Sequence, residues 1–191
     1  MRNRVRVPAV ARAGPADPPA ERRGAATVTQ WIPAYVALGS NLDDPCAQIE
    51  RAFEALAVLR DTKLVLRSSL YRSPPLGPVA QPDFVNAVAG MLTTIPPREF
   101  LAQLKSIEQR LGRARPVVRW GPRSIDLDLL VHGSARIDEP GLTVPHAGIA
   151  ARVFVLAPLA EIAPDLEVPG LGRASTLLAA VPTAGIARIA A

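Results

Sequence analysis

Apolar positions follow two rhythms after residue 33 and none before it. Residues 34–38, AYVAL, read as a short strand, and the turn GSNLDDP leads into a segment whose Cys46, Ile49, Phe53 and Leu56 stand at helical spacing. Residues 63–71, KLVLRSSLY, read as a second strand. RSPPLGPVAQP is too rich in Pro and Gly for a helix, and residues 83–92, DFVNAVAGML, read as a third strand. Pro96 and Pro97 open a helix with Phe100, Leu101, Leu104, Ile107 and Leu111 along one stripe. A loop rich in Arg, Gly and Pro follows, then a strand beginning IDLDLLV at Ile125. The order strand, helix, strand, strand, helix, strand is the ferredoxin-like βαββαβ pattern, so the expected class is α+β, with helices packed on a largely antiparallel sheet. Beyond residue 140 the pattern predicts a loop, a short helix near 155–162 and a weakly apolar C-terminal segment, with GLGRAS at 170–175 a turn.

The first thirty residues mix Pro, Ala, Gly and Arg without period, which predicts a disordered extension over 1–32 and one folded domain over 33–191. Charge sharpens that division. Residues 1–30 hold six arginines against Asp17 and Glu21, so nearly all of the net +5 lies there and the remainder is close to neutral. A nearly neutral domain argues against a broad nucleic-acid-binding face. No apolar run is long enough to span a membrane and no signal-peptide pattern opens the chain, which predicts a cytoplasmic protein. Cys46 is the one cysteine, so neither an internal disulfide nor a cysteine-based zinc site is possible.

Three places carry candidate chemistry. In an extended strand Ile125, Leu127, Leu129 and Val131 share one face, and Asp126 and Asp128 share the other. Two like charges on one face call for a cation, and a hard ion such as Mg²⁺ binds through one or two carboxylates plus substrate phosphates. In the third strand Val85, Ala87, Ala89 and Met91 make an apolar face, whereas Phe84 and Asn86 stand together on the other, an aromatic plane beside a carboxamide suited to a flat heterocycle. RLGRARPVVRWGPR brings Arg110, Arg113, Arg115, Arg119 and Arg123 into one loop, where guanidinium groups can hold a polyphosphate opposite the metal. No P-loop signature occurs. The bland alternatives are an exposed strand face for the aspartates and a solvated basic loop for the arginines; adjacency of the two weakens both.

Taken together, AYVALGSN, YRSPPLGPVAQPDFVNAV, IEQRLGR, RWGPRSIDLDLL and LTVPH resemble the motifs of the 6-hydroxymethyl-7,8-dihydropterin pyrophosphokinase family of folate biosynthesis, in the family's order from about residue 34 to 166. The resemblance implies a ferredoxin-like fold and transfer of pyrophosphate from ATP to the pterin's hydroxymethyl group, releasing AMP. It implies that Asp126 and Asp128 hold two Mg²⁺ ions bound with ATP. It also implies that Phe84 and Phe154 sandwich the pterin, with Asn86, Ser73, Pro74, Leu76 and Trp120 around it. Glu108, Arg113, Arg115, Trp120, Arg123, Leu129, Thr143, His146 and Arg152 match positions around the nucleotide, with Arg113 and Arg123 catalytic and Gly39, Ser40 and Asn41 in the turn after the first strand. Phe84 stands where many relatives have tyrosine, Gly141 where some have arginine, and Ala147 where some have tyrosine.

The expected partners are these two small molecules, with no nucleic acid, no membrane and a monomeric chain. A competing reading is a ferredoxin-like RNA-binding module using Phe84 and the arginine loop, but Asp126 and Asp128 beside that surface would repel phosphate. A noncatalytic pterin or nucleotide sensor would have no use for Asp126, Asp128 and Arg123 together.

Overall fold

In the computed structural model, which describes residues 30–112 and 121–190, one long strand organises the sheet. Strands β1 (Ile32–Ser40), β2 (Thr62–Arg67), β3 (Tyr71–Ser73), β4 (Phe84–Thr93) and β5 (Asp126–His132) alternate with helices α1 (Pro45–Ala57) and α2 (Pro97–Arg110). β4 pairs with β1 along one side and with β2 and then β3 along the other, while β5 closes the far edge against β1; every pairing is antiparallel. This is the expected βαββαβ arrangement. β1 begins two residues earlier than Ala34, and Trp31 before it packs under the Lys63 ammonium, 4.5 Å from the ring centroid.

The helices start and stop for local reasons. The Asp44 side chain accepts a hydrogen bond from the Ala47 N–H at the head of α1, and Pro45 fits the first turn. Pro96 and Pro97 open α2, and Gly112, at φ +83°, lies just beyond its Leu111 cap. Both helices bury their apolar stripes on the sheet face formed by Val36, Leu38, Ala87, Ala89, Leu127 and Leu129.

The strand expected over residues 63–71 is two strands. Its register against β4 shifts between Leu64 and Leu66, and residues 68–70 separate β2 from β3. Ser68 bridges the break: its N–H donates to Val88 O at 3.0 Å and its Oγ accepts from Val88 N–H at 2.9 Å. Val131 also departs from expectation. A register shift opposite Tyr35 and Val36 interrupts the alternation of β5, so Val131 lies with Leu130 in a second cluster rather than with Leu127 and Leu129.

That second cluster covers the other sheet face with the chain beyond residue 133. A hairpin of β6 (Ile137–Glu139) and β7 (Leu142–Val144) leads to a 3₁₀ turn at Ile149–Ala151 and then to α3 (Val153–Ile162), the short helix expected there. β8 (Glu167–Val168) and β9 (Gly172–Arg173) form a small hairpin; of the GLGRAS segment expected as a turn, only Gly170 and Leu171 lie in it, Gly172 and Arg173 form β9, and Ala174 opens the next helix. After α4 (Ala174–Ala179), β10 (Ala187–Arg188) returns to pair with β3 at the sheet edge. Among the described residues no helix is long and apolar enough to cross a membrane.

Candidate active site

The site grows from one row of residues across four strands. Tyr71 on β3 pairs with Asn86 on β4, Asn86 with Gly39 on β1, and Gly39 with Asp126 on β5. Two residues along, Val88, Ala37 and Asp128 form the next row on the same face. Small residues in the central strand thus leave a floor between an amide on one side and two carboxylates on the other. Two strand spacings, roughly 10 Å, separate Asn86 from Asp126. Phe84 enters from the start of β4 and Phe154 from the start of α3, and both line this cleft together with Ser73, Pro74 and Leu76.

Asn86, Asn41 and Arg123 are held in place by hydrogen bonds around the cleft. Asn86 Nδ2 donates to Ser73 Oγ at 2.9 Å, which leaves its carbonyl oxygen on the Gly39 side. Asn41, only 2% exposed, ties the two loops that border the cleft. Its Oδ1 accepts from Arg123 N–H at 2.8 Å, and its Nδ2 donates to Gln81 Oε1 at 2.9 Å and Pro82 O at 3.1 Å. So fixed, Arg123 places Nη1 2.5 Å from Asp126 Oδ2 and its guanidinium carbon 5.9 Å from the Phe84 ring centroid. The guanidinium therefore stands between the aromatic end and the acidic end.

His146 and Arg152 close the acidic end. His146 is carried by a main-chain bond from its N–H to Leu130 O at 2.9 Å, just after the cis Val144–Pro145 peptide. Its Nδ1 accepts from Gly148 N–H at 2.9 Å, so the neutral ring carries its proton on Nε2, which lies 3.9 Å from Asp128 Oδ2. Burial pushes the imidazole below its ordinary range; Asp128 opposes this and Arg152 reinforces it. Gly148 lets the Arg152 side chain lie flat, because a Cβ there would come within 2.6 Å of the guanidinium carbon.

The structure also answers which cation faces the two aspartates. Among the described residues Lys105 of α2 does so beside Arg123: its Nζ lies 3.6 Å from Asp128 Oδ1 and 3.9 Å from Asp126 Oδ1. The same ammonium donates to Leu127 O at 3.1 Å and to Glu108 Oε1 at 2.9 Å, and Glu108 Oε1 accepts from Leu127 N–H at 2.7 Å. The Lys105–Glu108 pair thus satisfies both outward main-chain groups of Leu127 on an edge strand. Sequence reasoning passed over Lys105. Its signal was available: a basic residue three before Glu108, on the helix that packs beside the aspartate strand.

The expected residues divide accordingly. Ser73, Pro74, Leu76, Phe84, Asn86, Arg123, Asp126, Asp128, His146, Arg152 and Phe154 line one cleft. Glu108 does not; it is 2% exposed and sits beneath β5. Leu129 buries its side chain in the helix-covered core, so a ligand can meet it only through the main chain of the edge strand. Thr143 is exposed on β7, and Gly141 occupies the preceding turn at φ +79°, a conformation that selects glycine over the arginine of some relatives. Arg113, Arg115 and Trp120 lie outside the described residues.

The donor set suits a hard divalent ion. Asp126 and Asp128 offer carboxylate oxygens with side chains 18% and 32% exposed, on one face and open to the cleft. Among the described residues no group of three or more His, Cys, Asp or Glu could hold a metal by itself. A pair of carboxylates that leaves the remaining positions to phosphate and water is what Mg²⁺ accepts with nucleotide substrates.

Comparison with known proteins identifies the family. The family model for 7,8-dihydro-6-hydroxymethylpterin-pyrophosphokinase matches residues 35–164. The 2-amino-4-hydroxy-6-hydroxymethyldihydropteridine pyrophosphokinase of Pseudomonas aeruginosa is 50% identical over 155 residues, covering 81% of this chain and 95% of its own. That of Haemophilus influenzae is 49% identical over 138 residues, covering 72% and 86%. In fold, the chain is similar to the wild-type HPPK-DHPS of Plasmodium falciparum crystallised with STZ-DHP, at TM-score 0.64 and 14% identity, over 80% of this chain and 44% of that longer one. The chain belongs to the 7,8-dihydro-6-hydroxymethylpterin-pyrophosphokinase family.

Proposed function

We propose that the cleft binds the pterin between Phe84 and Phe154 and the phosphates of ATP beside Asp126 and Asp128, which hold two Mg²⁺ ions entering with the nucleotide. The reaction is that of the family: pyrophosphoryl transfer from ATP, the co-substrate, to 6-hydroxymethyldihydropterin in folate synthesis. The observation that carries the assignment of ends is the row Asn86, Gly39, Asp126. The Asn86 amide and the Asp126 carboxylate share one face roughly 10 Å apart, a span that supports a pterin ring read at one end and the phosphate it attacks held at the other.

In this reading the hydroxymethyl group gives its proton to solvent as its oxygen attacks the β-phosphorus in line, a new P–O bond forms, and the bond from that phosphorus to the bridging oxygen breaks, AMP leaving with the electron pair. Mg²⁺ at the aspartates supplies charge neutralisation for the polyphosphate. Arg123 sits where attacking group and phosphate meet, so its guanidinium both orients the pterin and offsets charge that grows in the transition state. Neutral His146 offers its Nε2–H, and Arg152 its guanidinium, to phosphate oxygens. Asn86 and the Ser73–Leu76 segment read the edge of the ring. Leu129 and Thr143 meet the nucleotide from the edge of the sheet, Glu108 holds that edge in place, and Arg113, Arg115 and Trp120 are assigned to the substrates by their match to the family's motif alone.

In this reading the enzyme acts as a monomer. Two aspartates on the cleft face argue against nucleic acid, and the need for ATP supports a cytoplasmic enzyme. Purified protein given ATP, Mg²⁺ and 6-hydroxymethyl-7,8-dihydropterin is expected to form AMP, and only when all three are present. ADP, or AMP without pterin, would overturn the assignment of the two ends.

A further inference from the structure

The geometry points to Lys105 as a resident counter-ion that keeps the aspartate pair closed to free divalent cations until nucleotide arrives. This rests on the reading of Asp126 and Asp128 as metal ligands and extends it to how the metal is admitted. The ammonium is not a loose surface charge that drifted toward the carboxylates. It is anchored from behind by Glu108 Oε1 at 2.9 Å and Leu127 O at 3.1 Å, two groups fixed by the packing of α2 on β5. From that anchor it faces Asp128 at 3.6 Å and Asp126 at 3.9 Å.

An ion bonded to these carboxylates at roughly 2.1 Å must lie within a few ångströms of the ammonium. With Arg123 already on Asp126, a bare Mg²⁺ meets two positive groups at once. ATP changes the balance. Its polyphosphate brings several negative charges, which offset the metals and give Lys105 and Arg123 new anionic partners. Metal and nucleotide therefore enter as one unit, and the ligand-free site stays unmetallated at millimolar Mg²⁺. The ammonium is 39% exposed, so solvent weakens its field without abolishing it.

Mn²⁺ binding to the ligand-free full chain, followed by electron paramagnetic resonance of the free ion, tests this directly. Lys105→Gln removes the charge but keeps a donor for the Leu127 carbonyl, and Lys105→Arg keeps the charge. The wild-type and arginine proteins are expected to bind Mn²⁺ weakly without nucleotide, and the glutamine protein about tenfold more tightly. Far-UV circular dichroism and a melting curve establish that each variant is folded.

Equal Mn²⁺ affinity in wild-type and Lys105→Gln protein would overturn the proposal. Adding Asp128→Asn to Lys105→Gln separates it from the underlying reading. Loss of the gained Mn²⁺ site supports both. Persistence of that site would show the metal is not on the aspartates. If Lys105→Gln gains nothing while the Mg²⁺ complex of α,β-methylene ATP still needs Asp128 to bind, the counter-ion role alone fails.

Discussion

Asn41→Ala isolates the contribution of loop positioning to catalysis, because Asn41 does not line the cleft yet holds both loops that do. The substitution deletes three side-chain hydrogen bonds. It leaves Arg123 N–H and Pro82 O without their partners in a place where Asn41 itself is 2% exposed. Each hydrogen bond contributes roughly 1 kcal/mol net and each stranded group costs roughly 1–3 if water cannot reach it, so the expected loss is about 3 kcal/mol. In a domain of this size that lowers the melting temperature by about 6–12 °C. The main-chain bond from Asn41 N–H to Arg123 O, at 3.1 Å, survives, so the fold persists while the Arg123 loop loosens. A misplacement of about 1 Å in the guanidinium predicts a fall in kcat of up to about 10²-fold, with pterin Kd changed much less. Urea denaturation and steady-state kinetics on the same preparation read both quantities. A loss below about 1 kcal/mol with unchanged kcat would refute the view that Asn41 positions Arg123.

Three further outcomes are expected. Glu108→Ala strands the buried Leu127 N–H and removes one of the partners of the Lys105 ammonium; it should cost about 2–3 kcal/mol by denaturant unfolding, and a loss below about 1 would contradict the edge-covering role. His146, held below its ordinary value by burial, contributes stability above about pH 6.5 that is lost as pH falls through its folded value, since the unfolded chain then binds a proton the folded chain does not. Wild type should therefore lose up to about 1 kcal/mol more than His146→Gln between about pH 7.5 and 5.5, and parallel losses would rule this out. Ile189→Pro removes the bond from Ile189 N–H to Leu70 O that fastens β10 beside β3; pterin affinity should fall several-fold with nucleotide affinity unchanged, and calorimetry showing equal effects on both would contradict a local role.

The sheet core and the two ends of the candidate site are legible in the sequence because both are written in strict alternation. Asp126 and Asp128, and likewise Phe84 and Asn86, share a face by period alone, and the structure keeps each pair together. What period cannot display is where it breaks. The extra residue opposite Tyr35 and Val36 turns Val131 away from Leu129, and the break after Arg67 divides one expected strand into two. The strands of two or three residues after residue 136 are too short to carry any rhythm. Lys105 stayed hidden for a different reason. Helical spacing shows it to be polar, but only the packing of α2 on the edge of β5 reveals that it reaches the aspartates. Asn41 likewise looks like an ordinary turn residue until the loops at 81–82 and 123 come together around it.

The most direct test of the central claim is the single-turnover rate of pyrophosphoryl transfer in Asp128→Asn at saturating ATP, pterin and Mg²⁺, with pterin affinity measured on the same protein. The expected rate is at least about 10²–10³-fold below wild type, with pterin binding and melting temperature nearly unchanged. A variant that still forms AMP and pterin diphosphate within about tenfold of the wild-type rate would show that the aspartate strand is not the metal site.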